Sequence, residues 1–561
     1  MAFQVSPGVN VSEIDLTSSI PATSVSTGAI AGNFNWGPIE KITIISNESQ
    51  LASVFGKPDS NTADAFFTAA SFLSYSNDLR VVRANNSTNC FNAYANNGIV
   101  SANVLIKNED SYIEDSYGSS ASNVAFVARY AGDLGNTLKI SVCDSTDDFD
   151  SWAYATYFDS APVTSTYAAS VGGSKDELHI IVIDEDGIIS GAQGTVLERF
   201  PFVSKASDAK NEDGSSNYYI EVIYAKSKYV YGIEGNGLDA TYGNTAAGTT
   251  FGDSTETNYT RSLVNGNNGT ATTASLVNAY DLFSSTEEVD ISLIMCASAN
   301  STVVTSAISL ADTRKDCVAF FSPPLANALS TTAATEIADY ANDFATRSSY
   351  AVMDSGYKYM YDKYNDVYRW VPLNGDVAGL CARTDNERDP WWSPAGLQRG
   401  ALRNVVKLAF NPNKTERDTL YKAGVNPVVT FPGEGTVLFG DKTFMNRASA
   451  FDRINVRRLF IVLEKAISRA ARASLFEFND EFTRAQFVSL VEPFLRTIQG
   501  RRGIYDFRVV CDETNNTPDI VDRNEFVGDI YIKPARSINY IQLNFVAVRS
   551  GVSFEEVVGR F

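Results

Sequence analysis

Histidine is nearly absent from this chain: one residue, His179, among 561. It sits in the alternating run LHIIVID, where a strand residue is the better reading than a ligand or a base, and most metal chemistry and most acid–base triads go with it. The six cysteines (Cys90, Cys143, Cys296, Cys317, Cys381 and Cys511) are scattered, with no CxxC pair. Neither a structural zinc site nor a disulfide framework is indicated, and buried reduced thiols are expected. No apolar run approaches the roughly 20 residues that cross a bilayer, and no N-terminal stretch has the build of a signal peptide. No membrane insertion is expected, and the protein should stay where it is made.

Also missing are a GxxxxGK[ST] phosphate loop, a GxGxxG after a strand and a GxSxG elbow; GKPD after Phe55 and GDKT at Gly440 lack the glycine spacing. The acidic stretch DSTDDFD from Asp144 and the Asp184, Asp186, Gly187 cluster do not complete a calcium loop, so a solvated loop and a hairpin turn are the better readings. No catalytic residue, cofactor-binding residue or metal ligand is assigned. Excess positive charge is lacking as well. The net charge of -20 has the wrong sign for holding phosphates, and no nucleic-acid partner is expected. From Arg383 onward, however, 26 Lys and Arg face 22 Asp and Glu, whereas the part before it holds 20 against 44. An acidic front and a faintly basic back imply different surroundings.

What is present is 44% hydrophobic and 12% aromatic residues, enough for two to four cores. The opening MAFQVSPGVNVSEIDLTSSI alternates at Val5, Val9 and Val11 around Pro7-Gly8, which suits a strand that pairs with a sheet elsewhere. GAIAGNFNWGPIEKITIIS reads as two strands across Gly37-Pro38. A helix follows, capped by Asn47 with Gln50 three residues on and ended by Gly56. TADAFFTAASFLSY reads as a helix and LRVVRA as a strand, so an α/β core has begun. Between roughly Asn85 and Asn278 the runs VAFVARY, LKISVCD, LHIIVID and YYIEVIYA read as strands of an inserted, mostly β region. VDISLIMCA and KDCVAFFSPP then return the core texture, with TEIADYANDFATR helical.

In INVRRLFIVLEKAISRAARASLF a helical projection puts Leu459, Phe460, Leu463, Ile467, Ala470 and Ala471 on one side and Arg458, Lys465, Arg469 and Arg472 on the other. The basic side is either a solvated face or one turned to an acidic partner. The next helix reads as starting at Thr483, with Gln486 closing a capping box, Phe482 and Phe487 as staples and Pro493 as a kink. IYDFRVV is a strand, and VGDIYIKPARSINYIQLNFVAV closes the chain as two alternating runs, a hairpin with Ile541, Leu543 and Phe545 on one face. The aromatic run from Tyr357 to Trp370 reads as packed strand and inter-subunit surface, a better fit than a stacking platform for sugars or bases.

SPGVNVSEID, GAIAGNFNWGPIEKI, LASVFGKP and YAGDLGNTLKISV are similar to blocks of one known family. So are YKYMYDKYNDVYRWVPLNGDVAGLCARTDNERDPWWSPAG, FDRINVRRLF, FEFNDEFTR, VVCDETNNTPDIVDRNEF and KPARSINYIQLNFV. In number and order they resemble the tail sheath proteins of contractile, T4-like phages, strongly after Asp290, weakly over the first hundred residues and least in the β region. The resemblance implies a non-enzymatic structural subunit, assembled in the host cytoplasm and carried in the virion. Its copies form a helical lattice around a tail tube, metastable when extended, and contraction drives the tube through the host envelope for genome delivery. Implied partners are further copies through the terminal arms, the tube protein, and baseplate and tail terminator proteins. The expected organisation is a multidomain α/β plus β fold: an N-terminal linking arm over 1–20, a discontinuous α/β core over 21–90 with 279–526, inserted mostly-β outer structure over 91–278, and a C-terminal strand arm over 527–561. Val5, Val9, Val11, Ile541, Leu543 and Phe545 would be the inter-subunit strand positions, and Arg458, Lys465, Arg469 and Arg472 a tube-facing stripe. The rival readings are a secreted surface-layer or adhesin protein, which secretion of the intact chain would favour, and a polysaccharide hydrolase using paired carboxylates, which turnover would reveal.

Overall fold

The computed structural model describes residues 25–85, 89–96, 103–114, 124–233, 238–539 and 542. Two compact units result, one over 19–475 and the other containing 476–539, so the boundary at Leu475 falls inside the stretch expected to form one core. Val5, Val9, Val11, Ile541, Leu543 and Phe545 lie outside the described residues.

The larger unit is built on a seven-stranded sheet. Its order is Val425–Asn426, Ala351–Asp354, Val318–Phe321, Leu293–Cys296, Gly28–Gly32, Leu79–Arg83, Thr43–Ile45, parallel except for the last pair. The near-continuous apolar runs LIMC and VAFF are what a parallel sheet covered on both faces requires. Alternation then divides the side chains. Ala29, Ala31, Ile294 and Phe321 enter one core with the helices Thr273–Asp281, Ser301–Arg314 and Ala333–Asn342. Ile30, Leu293, Met295 and Phe320 enter the other with Glu48–Phe55, Ala63–Leu73 and Asn374–Glu387. The last two helices approach closely because of glycine: a Cβ on Gly375 would stand 2.3 Å from the Thr68 carbonyl oxygen.

Local signals explain most of these elements. The Asn47 side chain accepts from the Gln50 N–H (2.8 Å) while Gln50 Oε1 accepts from the Ser46 N–H, and Gly56 ends the helix at φ 80. The strands on either side of Gly37-Pro38 both form but do not pair with each other: Leu79–Arg83 lies between them, because a β-strand after a helix returns to the sheet as a crossover.

A second, antiparallel seven-stranded sheet uses residues 92–264, with its own core around Phe126, Ile140, Ile180 and Tyr259. The run YYIEVIYA is a correction: Tyr219–Lys226 is a helix. Its buried Tyr219, Ile220, Val222 and Ile223 fit a helical face as well as a strand, and packing against the sheet decides the matter. His179 is in a strand, its Nε2 2.8 Å from the Ser160 carbonyl and its Nδ1 accepting from the Phe202 N–H. Burial lowers its pKa, which keeps the ring neutral. Asp184 accepts from Thr137, Ser190 and the Gly187 N–H, so its oxygens are used within the fold.

The two sheets meet at Arg83. This fully buried side chain donates to the carbonyls of Gly37 (3.0 Å) and Ala131 (2.8 Å), tying one sheet to the other, and burial draws its pKa down to about 10. Trp36 stands edge-on to Tyr130 beside it. The chain leaves for the second sheet and returns from it at neighbouring points, where Phe91 bridges Asn267 and the Asn85 amide donates to the Asn268 carbonyl at 2.6 Å.

Candidate assembly surfaces

The smaller unit lays one helix on a two-stranded ribbon. Helix Glu481–Gly500 turns Phe487, Val491, Leu495 and Ile498 inward at helical spacing. The ribbon pairs Ile504–Val510 antiparallel with Asp529–Pro534. The helix begins earlier than Thr483: Asp480 is the cap, its carboxylate accepting from the Thr483 N–H at 2.8 Å. The Asp480 carboxylate takes the capping role expected of Thr483 because it answers both an open N–H and the helix dipole. Pro493 lies within the helix. The loop from Cys511 is held by side-chain amides; Asn516 donates to the Val527 carbonyl (2.8 Å) and accepts from its N–H (2.9 Å), as a strand neighbour would. Among the described residues each ribbon strand pairs only with the other. The run DIYIKP, expected to pair with the run after it, thus has Ile504–Val510 as its described partner.

The proposed basic stripe divides. Arg458 is buried, ion-paired to Asp385, and donates to the carbonyls of Cys381 (3.2 Å) and Val25 (3.4 Å), which removes it from any exposed face. Burial outweighs the guanidinium and lifts the Asp385 carboxyl to about 6. The reason is that Ile454–Ala471 has no solvent side in its first half, where Ile454 to Leu459 are all buried. A two-sided projection cannot describe an enclosed helix. Lys465 is also engaged, donating to Asp290 (2.8 Å), the Ile291 carbonyl (2.9 Å) and Ser292 (2.9 Å). Arg469 and Arg472 alone are exposed, with Arg469 3.7 Å from Asp290.

Two aromatic surfaces stand open. In LFEFNDEF, Phe476 is fully exposed, Phe478 is 84% exposed and Phe482 76%. Phe487 packs edge-on to Phe526, so of the two expected staples only this one is buried. The other surface is one face of the hairpin Tyr357–Asp362 with Val367–Pro372. Cross-strand pairing sets Tyr359 against Trp370 (4.7 Å between rings) and Tyr361 against Tyr368 (5.4 Å), and Tyr368 is 53% exposed. Lys407 lies over the Tyr359 ring at 4.9 Å. Trp391, by contrast, is buried.

Residues 269–444 match the phage tail sheath protein central domain, 447–547 the phage tail sheath C-terminal domain, and 26–84 the N-terminal region of tail sheath protein Gp18 domain III. The tail sheath protein of Vibrio phage KVP40 is 34% identical, with 99% of this chain and 100% of that one aligned; for the tail sheath protein of Enterobacteria phage T4 the values are 34%, 99% and 99%. The chain belongs to the phage tail sheath proteins. It is a structural subunit of a contractile sheath and a component of the virion. The fold agrees: the crystal structure of the sheath tail protein from Desulfitobacterium hafniense superposes with a TM-score of 0.54 at 12% identity, over 94% of this chain and 100% of that one. The helical sheath of the anti-feeding prophage in its contracted state gives 0.51 at 13%, over 97% and 99%.

For a sheath subunit the informative surfaces are those that meet copies of itself. Sequence reasoning pointed to the chain ends and missed Phe476 and Phe478. The available signal was aromatic residues alternating with acids in a stretch that has no helical or strand periodicity and therefore no core to enter. Among the described residues no group of three or more His, Cys, Asp or Glu is placed to hold a metal, and no helix is long and apolar enough to cross a membrane.

Proposed function

We propose that the subunit polymerises in helical rows around a tail tube, is metastable when extended, and contracts while its terminal segments keep neighbouring copies joined. The observation that carries this reading is the two-stranded ribbon of the smaller unit, to which a further strand could be added on either side. An added strand supplies directional main-chain hydrogen bonds, and a short strand on a flexible lead lets rigid bodies rotate without parting. Residues 1–20 and the stretch after Pro534 are the joining arms, since Asp529–Pro534 is already spent on the ribbon. Residues 21–90 with the chain after 278 form the sheath-building body, and 91–278 the outer, acidic part. A contracted lattice with more buried surface lies lower in free energy than an extended one, so a signal from a baseplate need only lower a barrier. No nucleotide is required, and no enzymatic role is proposed.

Deleting 1–20 together with 540–561, which leaves the ribbon whole, is expected to abolish tube formation while circular dichroism stays at the full-chain value. Tubes of normal diameter from the doubly deleted chain, seen by electron microscopy, would discard the arms. The exposed Arg469 and Arg472 are the part of the basic stripe proposed to face the tube. Reversing both to Glu is expected to lower co-sedimentation with tube protein at low salt and to leave self-assembly in place; unchanged co-sedimentation would remove the stripe altogether.

A further inference from the structure

Three phenylalanines within seven residues, all largely in water, are costly unless something covers them. Their flanking acids, Glu477 and Glu481, are exposed and form no ion pair among the described residues. The segment is therefore apolar and anionic at once. Its complement is an apolar surface that carries positive charge. The Tyr–Trp face of the hairpin offers both at its Lys407 end: Tyr361 and Tyr368 are about half exposed, and Lys407, which forms no ion pair among the described residues, lies over the Tyr359 and Trp370 rings, while the exposed Asp366, which accepts from the Tyr361 hydroxyl at 2.6 Å, marks the opposite end.

We propose that residues 476–482 of one copy dock on the aromatic hairpin face of a second copy, a contact that rests on the sheath-subunit reading and adds to the arms. Phenylalanine rings would lie against Tyr361 and Tyr368, edge to face, with Glu477 or Glu481 meeting Lys407. Aromatic side chains bury roughly 150–250 Å² each, so three on one side and the open parts of four on the other cover on the order of 1,000 Å², the size a specific interface needs. A second copy is favoured over a foreign partner because both halves are on every chain. A head-to-tail contact of this kind leaves one unused half on each copy, so it closes into a ring where its rotation closes and runs on as a helix where it does not.

Phe478→Cys and Tyr368→Cys, each in a separate full-length preparation, test the pairing. All six native cysteines are buried, which keeps background oxidation low. Mixed, assembled into tubes and mildly oxidised, the two variants are expected to give covalent dimers, roughly tenfold above either variant alone, and none before assembly. Should either cysteine variant fail to assemble, charge reversal supplies the second measurement. Lys407→Glu is expected to raise the concentration needed for tubes about tenfold, and the same change combined with Glu477→Lys and Glu481→Lys to restore it. Tubes without cross-links, or a reversal that the compensating pair does not rescue, overturn the docking and leave the sheath reading standing. A wild-type chain that forms no tubes under any condition would sink both.

Discussion

Asp376→Ala is expected to lower the stability of the larger unit by about 3–5 kcal/mol, because it strands a buried ammonium. Lys358 and Asp376 are 1% and 0% exposed, and the Lys358 Nζ lies 2.8 Å from one carboxylate oxygen and 2.9 Å from the other. The Tyr75 hydroxyl donates to the same carboxylate (3.1 Å) and accepts from the Arg403 N–H (2.7 Å), so one aspartate organises the hairpin, the helix that follows it and the loop beyond. Burial raises the Asp376 pKa, with Lys358 opposing. Removing the carboxylate leaves Lys358 with the Arg403 carbonyl at 3.3 Å as its remaining partner. The double variant Lys358→Met, Asp376→Leu is expected to recover most of the loss, since a buried ion pair is worth little more than apolar side chains of the same volume. Urea unfolding of the four proteins gives the coupling directly; a loss under about 1 kcal/mol for Asp376→Ala would mean that water reaches the lysine.

Asp354→Asn is expected to flatten the dependence of stability on pH. Asp354 is buried at the end of Ala351–Asp354, the strand next to one edge of the parallel sheet, where Ser322 Oγ donates to it at 2.7 Å and the Gly356 N–H at 2.9 Å. Desolvation overcomes these donors, with Asp376 adding repulsion, and pushes the carboxyl to about 8. The folded pKa is above the unfolded one, so the stability this group contributes is complete below about pH 4 and is lost as pH rises through about 8. Within that window the folded state alone holds the proton, and the loss runs at about 1.4 kcal/mol per pH unit. Asparagine stays neutral throughout. Unfolding free energies measured from pH 5 to 8 should therefore fall less steeply for the variant than for the parent; parallel slopes would show that Asp354 is ionised in the folded chain.

Elements that carry a strong local signal were legible, whether half covered or enclosed. Asn47 with Gln50, the Ala63–Leu73 helix and the strands at Leu293 and Val318 followed from caps, spacing and apolar runs. Charges satisfied inside the fold and short runs that suit two structures were not. Arg458 read as solvent-facing because a projection assumes that charge seeks water, whereas Asp385 and two carbonyls satisfy it inside. Tyr219–Lys226 read as a strand because β-branched and aromatic residues suit both structures over eight residues, and only the surface beneath decides. Phe476 and Phe478 failed in the opposite sense: apolar residues are expected inside, and nothing local says that their cover is another molecule. Lys358 was invisible for a related reason, since its place in YKYMYD gives no sign that Asp376 waits eighteen residues on.

The second sheet hangs from the first on two stems that leave and return side by side, locked by Arg83 and by Asn85 to Asn268. A part grafted at one doorway can be exchanged wholesale, because among the described residues the strands of the first sheet pair with one another and with none of the second. The second sheet is thus free to be rewritten, residue by residue or as a block, while the parallel sheet that carries it keeps its own pairing.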